Sequence, residues 1–231
     1  MSPEQPKTAP KNGALRQKIR REIFAWFWVV LLFLLINGTI GQARVIPSGS
    51  MENTLLVGDH VMISRIGYDA GIPFTHWHAP LWRNPVRQQL IVFRPPIAGD
   101  PPDWVKRVIG LPGDTVDIRD NAVWINGQRL AENYALGNTS RPHFSEVKLP
   151  YKVPSDCYFV MGDNRENSYD SRYVGCVPRP NIIGTPVIIY MSLDAPGDAW
   201  EPGQIRERIL AYLNAIRHPG TIRWRRIFRV F

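Results

Sequence analysis

Three polar segments of this 231-residue chain carry residue types that can do covalent chemistry. The first is Pro47-Ser48-Gly49-Ser50-Met51. Two serines around a glycine, behind a proline, make a tight turn that presents a hydroxyl and a backbone N–H together. A nucleophile beside an oxyanion hole needs that pairing. The second is Trp104-Val105-Lys106-Arg107-Val108-Ile109-Gly110-Leu111-Pro112-Gly113-Asp114. It reads as a strand stopped by a turn, and neighbours on a strand point to opposite faces. Lys106 therefore shares an apolar face with Trp104 and Val108, while Val105 and Arg107 point the other way. Burial lowers a lysine pKa. To be half neutral near pH 8, Lys106 must fall about 2.4 units from 10.4, at a cost of about 3.3 kcal/mol. That is reasonable for a general base and wasteful for a surface cation. The third segment, Gly162-Asp163-Asn164-Arg165-Glu166-Asn167-Ser168-Tyr169-Asp170-Ser171-Arg172, follows an apolar strand. Its residues suit a buried hydrogen-bonded support, with Asp170 and Arg172 placed to pair.

Taken one at a time, each segment has a plainer reading: a turn, a snorkelling lysine, a solvated loop. Their order and spacing are more specific. IPSGSMENTLLVGD at 46–59, WVKRVIGLPGD at 104–114 and GDNRENSYDSR at 162–172 resemble the type I signal peptidases, the leader peptidase family of Ser/Lys serine proteases. The resemblance runs from the apolar N-terminal segment to Met191 and weakly into residues 221–227. It implies Ser50 as nucleophile and Lys106 as general base. It implies an oxyanion hole made of the Ser50 N–H and the Ser48 hydroxyl. Ser168 would hydrogen-bond and orient Lys106, with Asp170 and Arg172 as a supporting ion pair. Ile46, Pro47, Asp103 and Val105 would border an extended substrate, cut after small residues at −1 and −3. The implied partners are preprotein signal peptides and the lipid bilayer, with the export machinery as a further candidate. No cofactor or metal is implied.

The chain departs from the family pattern in two places. Asn53 stands where a proline is usual, and Arg87-Gln88-Gln89 replaces an R-G-D before the strand Leu90-Ile91-Val92-Phe93. The second puts a loop contact in doubt but no catalytic position.

The elements that must position these residues follow from patterning. Ile23 to Ala43 holds no charged residue, and its 21 residues span about 31 Å as a helix, against about 30 Å of hydrocarbon core. Six Lys/Arg and two Glu precede it, so residues 1–22 carry +4. By the positive-inside rule the N-terminus stays cytoplasmic and the chain after Arg44 is exported from the inner membrane. The rival is a cleavable signal peptide ending in Gly41-Gln42-Ala43, which the long basic leader and aromatic-rich span oppose.

The division expected is a basic segment at 1–22, an anchor at 23–43 and an exported β-rich domain at 44–231. That domain would carry a small insertion at about 120–154. The fold class is mainly β, an antiparallel signal-peptidase-type sheet with one N-terminal transmembrane helix. Strands are expected at His60–Ile66, Gln89–Arg94, Trp104–Ile109, Thr115–Arg119, Cys157–Met161 and Ile182–Met191. Asn126-Gly127 marks a hairpin. Only Pro202–Ile216 has a helical period, with Ile205, Ile209, Leu210, Leu213 and Ile216 on one face. Residues 67–88 form an excursion whose Phe74, Trp77 and Trp82 suit either a membrane interface or packing on the domain.

Composition excludes other classes. The net charge of +8 sits at the two ends: residues 204–231 carry +6, leaving −2 for the middle. That is no broad basic face for nucleic acid. Cys157 and Cys176 form no C-x-x-C pair, and His76 and His78 lack partners at ligand spacing, so no metal site is read. An exported segment permits a Cys157–Cys176 bridge, but the sequence does not place the two within reach. The alternatives are a peptidase dedicated to one secretion or conjugation system, and a catalytically idle membrane-anchored relative that only binds peptides.

Overall fold

The computed structural model describes residues 12–71, 75, 77–99, 101–140, 147–201 and 203–231. Helix α1 spans Asn12–Leu35. It is apolar all round from Ile23 onward, and Phe24, Trp26, Phe27, Val29 and Leu32 are all exposed. With the π turn Ile36–Ile40 it makes one helix, Arg16–Ile40, long and apolar enough to cross a membrane. Asn37 and Thr39 turn their side chains back onto the carbonyls of Phe33 and Leu35, the competition with the backbone that ends helices. The helical segment stops at Ile40, so Gly41–Ala43, read as the end of the anchor, open the first strand instead.

In chain order the strands are β1 Gly41–Val45, β2 Asp59–Ser64, β3 Asp69–Gly71, β4 His78–Pro80, β5 Leu90–Phe93, β6 Trp104–Gly110 and β7 Thr115–Arg119. Then come β8 Ala122–Ile125, β9 Gln128–Arg129, β10 Tyr151–Lys152, β11 Cys157–Met161, the short helix α2 Ser171–Val174, β12 Val177–Pro178, β13 Ile182–Ser192 and helix α3 Ile205–Arg217. Seven strands form one antiparallel sheet in the order β1-β2-β13-β5-β6-β11-β12. The mainly β reading therefore describes this fold.

Beneath the segment 46–51 lies a core of Ile46, Met51, Leu55, Val61, Ile63, Leu90, Val92, Ile183 and Ile189. Val61, Ile63, Leu90, Val92, Ile183 and Ile189 come from β2, β5 and β13, and Ile46, Met51 and Leu55 from the segment between β1 and β2. The β5–β6 register sets Lys106 opposite Ile91 and Arg107 opposite Leu90.

A four-stranded sheet, β10-β7-β8-β9, occupies the region of the expected insertion. It recruits Thr115–Arg119 because Val116 and Ile118 join Val123, Ile125 and Phe159 in a separate core. The β8–β9 hairpin turns through Asn126 and Gly127, both at positive φ (52° and 82°), as that dipeptide demands. In the excursion, β3 and β4 pair, and Trp77 and Trp82 are exposed instead of packing on the domain. Phe74 and His76 lie outside the described residues.

Cys157 and Cys176 are joined in a disulfide with Cα atoms 5.6 Å apart. It ties β11 to the approach of β12 and so closes the loop 162–172 at its base.

Candidate active site

Ser50 sits in a single 3-10 turn, Gly49–Met51, at the end of the chain leading from β1. Met51 is buried beneath it and anchors the turn in the core. Lys106 projects from the middle of β6 and is 4% exposed. Its Nζ donates to Ser50 Oγ at 2.6 Å. Burial is the main cause that lowers the Lys106 pKa, from 10.5 to about 8. The nearby Arg172 guanidinium lowers it further, whereas the Asp170 and Asp163 carboxylates raise it. Nζ also lies 5.9 Å from the Trp104 ring, on the apolar face that strand alternation assigned to it.

The loop 162–172 holds both groups from behind. The Asn164 N–H donates to the Ser50 carbonyl at 3.1 Å. Asp170 accepts from the Gly162 N–H, Ser168 Oγ (2.8 Å) and Arg172 Nε (2.8 Å), and also caps α2 through the Arg172 N–H. Asp170 and Arg172 are both buried, so their charges need this density of bonds. Gly162 allows the approach: a Cβ there would lie 2.5 Å from the Ser50 carbonyl oxygen and closer still to Ser168 Oγ.

An open cavity of about 690 Å³ runs past Ser50. Ile46, Pro47 and Ser48 form one bank; Asp103, Val105 and Lys106 form the other. Met51, Ile63 and Val92 contribute apolar floor. Arg44 and Asp103 join the banks through an ion pair of 2.6 Å. The banks come from β1 and β6, which do not pair with each other. An extended peptide between them would find free backbone groups on edge strand β1. The arrangement sets a serine hydroxyl against a buried lysine amine, beside an open cleft with room for a chain.

The sequence model of the family described as signal peptidase, peptidase S26, matches residues 19–191. The chain belongs to this family. It is 40% identical over 179 residues to a signal peptidase I of Leptolyngbya laminosa, covering 75% of this chain and 80% of that one. It is 33% identical over 207 residues to a signal peptidase I of Pseudomonas fluorescens, covering 74% and 72%. The signal peptidase I of Aquifex aeolicus is 31% identical over 256 residues, covering 85% of this chain and 95% of its own.

In this S26 peptidase, Ile46, Pro47, Ser48, Ser50, Asp103, Val105 and Lys106 line one cleft, while Ser168, Asp170 and Arg172 stand behind it in the loop 162–172. Ser168 was expected to hydrogen-bond Lys106. Its Oγ donates to Asp170 instead, and among the described residues the one hydrogen bond of Lys106 Nζ goes to Ser50. Ser48 Oγ lies 3.4 Å from Ser50 Oγ.

Sequence reasoning missed the other face of β6. Arg107 grips Asp163 with Nε and Nη2 (2.8 and 2.6 Å), donates to Thr54 Oγ1, and stacks 3.9 Å from the Tyr134 ring centroid. This network locks β6 to the loop beside Ser50. Its signal was present: Arg107 and Asp163 adjoin Lys106 and Gly162 in the recognised segments. Asn53 adopts φ +86°, which the proline ring forbids, and its Nδ2 donates to the Tyr134 carbonyl. At the second departure Gln89 accepts the Val86 N–H and donates to the Tyr68 hydroxyl, so a loop contact is made without an aspartate.

Proposed function

We propose that this S26 peptidase is a membrane-anchored serine endopeptidase that removes N-terminal signal peptides from exported preproteins at small-x-small sites. The observation that carries the reading is the 2.6 Å contact of a buried Lys106, with its pKa lowered to about 8, to Ser50.

In the mechanism the preprotein lies extended between the two banks, bordered by Ile46, Pro47, Asp103 and Val105. Neutral Lys106 takes the proton of Ser50 Oγ, which attacks the scissile carbonyl. The Ser50 N–H and Ser48 hydroxyl hold the oxyanion. Lys106 then gives its proton to the leaving amine, forming the new N-terminus. Next it deprotonates a water that attacks the acyl-enzyme, releasing the signal peptide and restoring Ser50. The shallow apolar floor suits small side chains at −1 and −3. Asp170 and Arg172 hold the loop, and with it Ser168, against the dyad. A catalytically idle relative has no use for a buried cation held against a serine.

Placing α1 across the inner membrane with a cytoplasmic N-terminus rests on the basic flank and on the outward apolar surface of the helix. Gly41–Ala43 are paired with Met62–Ser64, and a strand in the sheet makes a poor cleavage site. The Cys157–Cys176 disulfide supports an oxidising compartment for the catalytic domain.

The test is cleavage of a preprotein bearing an A-x-A site by detergent-solubilised enzyme. Wild type is expected to cut it, and Ser50→Ala and Lys106→Ala to lose about 10³-fold or more in rate while folded. Retained activity in Lys106→Ala would assign the base elsewhere. An inactive wild type, offered several leader substrates, would point to a peptidase serving a single secretion or conjugation system.

A further inference from the structure

Helix α3 is inverted relative to an ordinary surface helix. Ile205, Ile209, Leu213 and Ile216 are 66%, 53%, 44% and 76% exposed. At about 100° per residue they fill one arc of roughly 80°. The inward arc carries Ala211, Tyr212 and Ala215, which join the cluster around Trp200, Leu193 and Ala199, at whose edge Val45 and Met191 also lie. The helix thus has two apolar faces, and the richer one is left largely exposed by the described residues. Monomeric proteins rarely leave such a surface to water.

Two further observations say what covers it. Arg206 and Arg217, both exposed, fall about 20–40° beyond this arc, between it and the exposed Leu210, where guanidinium groups reach phosphates while the apolar residues dip below them. The segment that follows continues the pattern, with Trp224, Phe228 and Val230 exposed beside the exposed Arg225 and Arg229. The second observation is place. Inward-facing Tyr212 and Ala211 belong to the cluster that includes Val45, five residues past the end of the anchor at Ile40. Five extended residues reach about 17 Å at most. The helix is therefore docked, through Tyr212 on His60 of β2, beside the strand that follows the anchor.

We infer that the outward face of α3 lies in the headgroup region of an anionic bilayer, the same one that holds α1, and sets the height of the catalytic groove above it. The inference rests on the anchor reading proposed above. Its mechanical link is short: Tyr212 Oη lies 2.7 Å from Nε2 of His60, which pairs with Val45 in the β1–β2 register. Ile46 and Pro47 of the groove come directly after. A helix seated in the interface thus holds the β1 bank where a membrane-borne peptide arrives.

The experiment uses the full chain in vesicles of phosphatidylcholine and phosphatidylglycerol, keeping the native disulfide. Single variants Ile209→Cys, Asn214→Cys and Leu31→Cys each carry an environment-sensitive fluorophore, read by quenching with aqueous iodide. Labels at 209 and 31 should be protected and the label at 214 quenched. Protection at 209 should weaken when phosphatidylglycerol is left out. A quenched label at 209 with a protected label at 31 would overturn the inference and leave the anchor standing. Quenching at both would remove the anchor and the inference together. Protection at 209 that tracks protein density and ignores lipid composition would give the face to a second copy of the chain, and also overturn it.

Discussion

A cation kept out of water weakens a fold until it gives up its proton, and Lys106 is such a cation. Its pKa of about 8 lies well below the 10.5 of an unfolded lysine. Below pH 8 the folded chain carries the full burden of the buried charge, about 3 kcal/mol for a shift of this size. Between pH 8 and 10.5 the unfolded chain keeps a proton that the folded chain has lost, so stability rises with pH. Lys106→Met, which keeps the stem and drops the charge, should be inactive yet more stable at pH 7 by up to about 3 kcal/mol. Its advantage should shrink as pH climbs to 10.5. Denaturant titrations at both pH values check this, and a variant no more stable than wild type at pH 7 would refute it. The same group sets the rate. In wild type, log kcat/KM should rise with unit slope and level off above about pH 8. In the proposed mechanism Ser48 has the other role that a single atom can decide. Ser48→Ala should lower kcat about 10²–10³-fold with KM nearly unchanged, because its hydroxyl meets charge only in the transition state. A loss confined to KM would remove Ser48 from the oxyanion hole.

At the scale of elements, the site depends on a loop and a turn that touch through a residue with no side chain. Gly162→Ala would press a methyl group against Ser168 and the Ser50 carbonyl. Overpacking of this kind costs about 1–3 kcal/mol. The larger effect should be on rate, about 100-fold in kcat, since a shift of roughly 1 Å in Ser50 is enough for that. Circular dichroism with single-turnover kinetics separates the two, and full activity in this variant would show that the loop does not fix Ser50. Five of the seven main-sheet strands were legible as short runs of branched and aromatic residues, each within two residues of the observed one at either end, whereas β1, read as the end of the anchor, and the two-residue β12 were not. The sixth expected strand, Thr115–Arg119, was placed correctly but left its sheet, because alternation says which face is apolar and not which partner covers it. The same limit applies to α3, where period revealed the apolar stripe but could not say that it points away from the domain. Ser50 and Lys106 stood out because their neighbours are as distinctive as they are. Arg107–Asp163 and Arg226–Asp59 did not, since such pairs join residues far apart in the chain and leave no local pattern.

For the whole molecule the question is what the helix α1 adds to a site that lies entirely beyond it. Its basic flank of +4 and the +6 of residues 204–231 bracket a middle of −2. That pattern is the one the proposed seating at an anionic surface, from both ends, requires. The chemistry itself needs nothing before β1, because the residues lining the cleft begin at Ala43. Removing residues 1–35 keeps the turn 36–40, whose Asn37 and Ile40 carbonyls accept from Arg65. That variant should therefore cut a short soluble peptide within about twofold of the wild-type kcat/KM, as expected of a change remote from the cleft. A preprotein already inserted in vesicles is a different substrate. Sharing a membrane raises the effective concentration of the enzyme, and losing that tether should slow cleavage by about 10²-fold. Rates on the two substrates, measured side by side, decide the matter. Equal losses on both would mean that α1 supports the cleft structurally. A loss on the inserted preprotein alone would mean that α1 works by location.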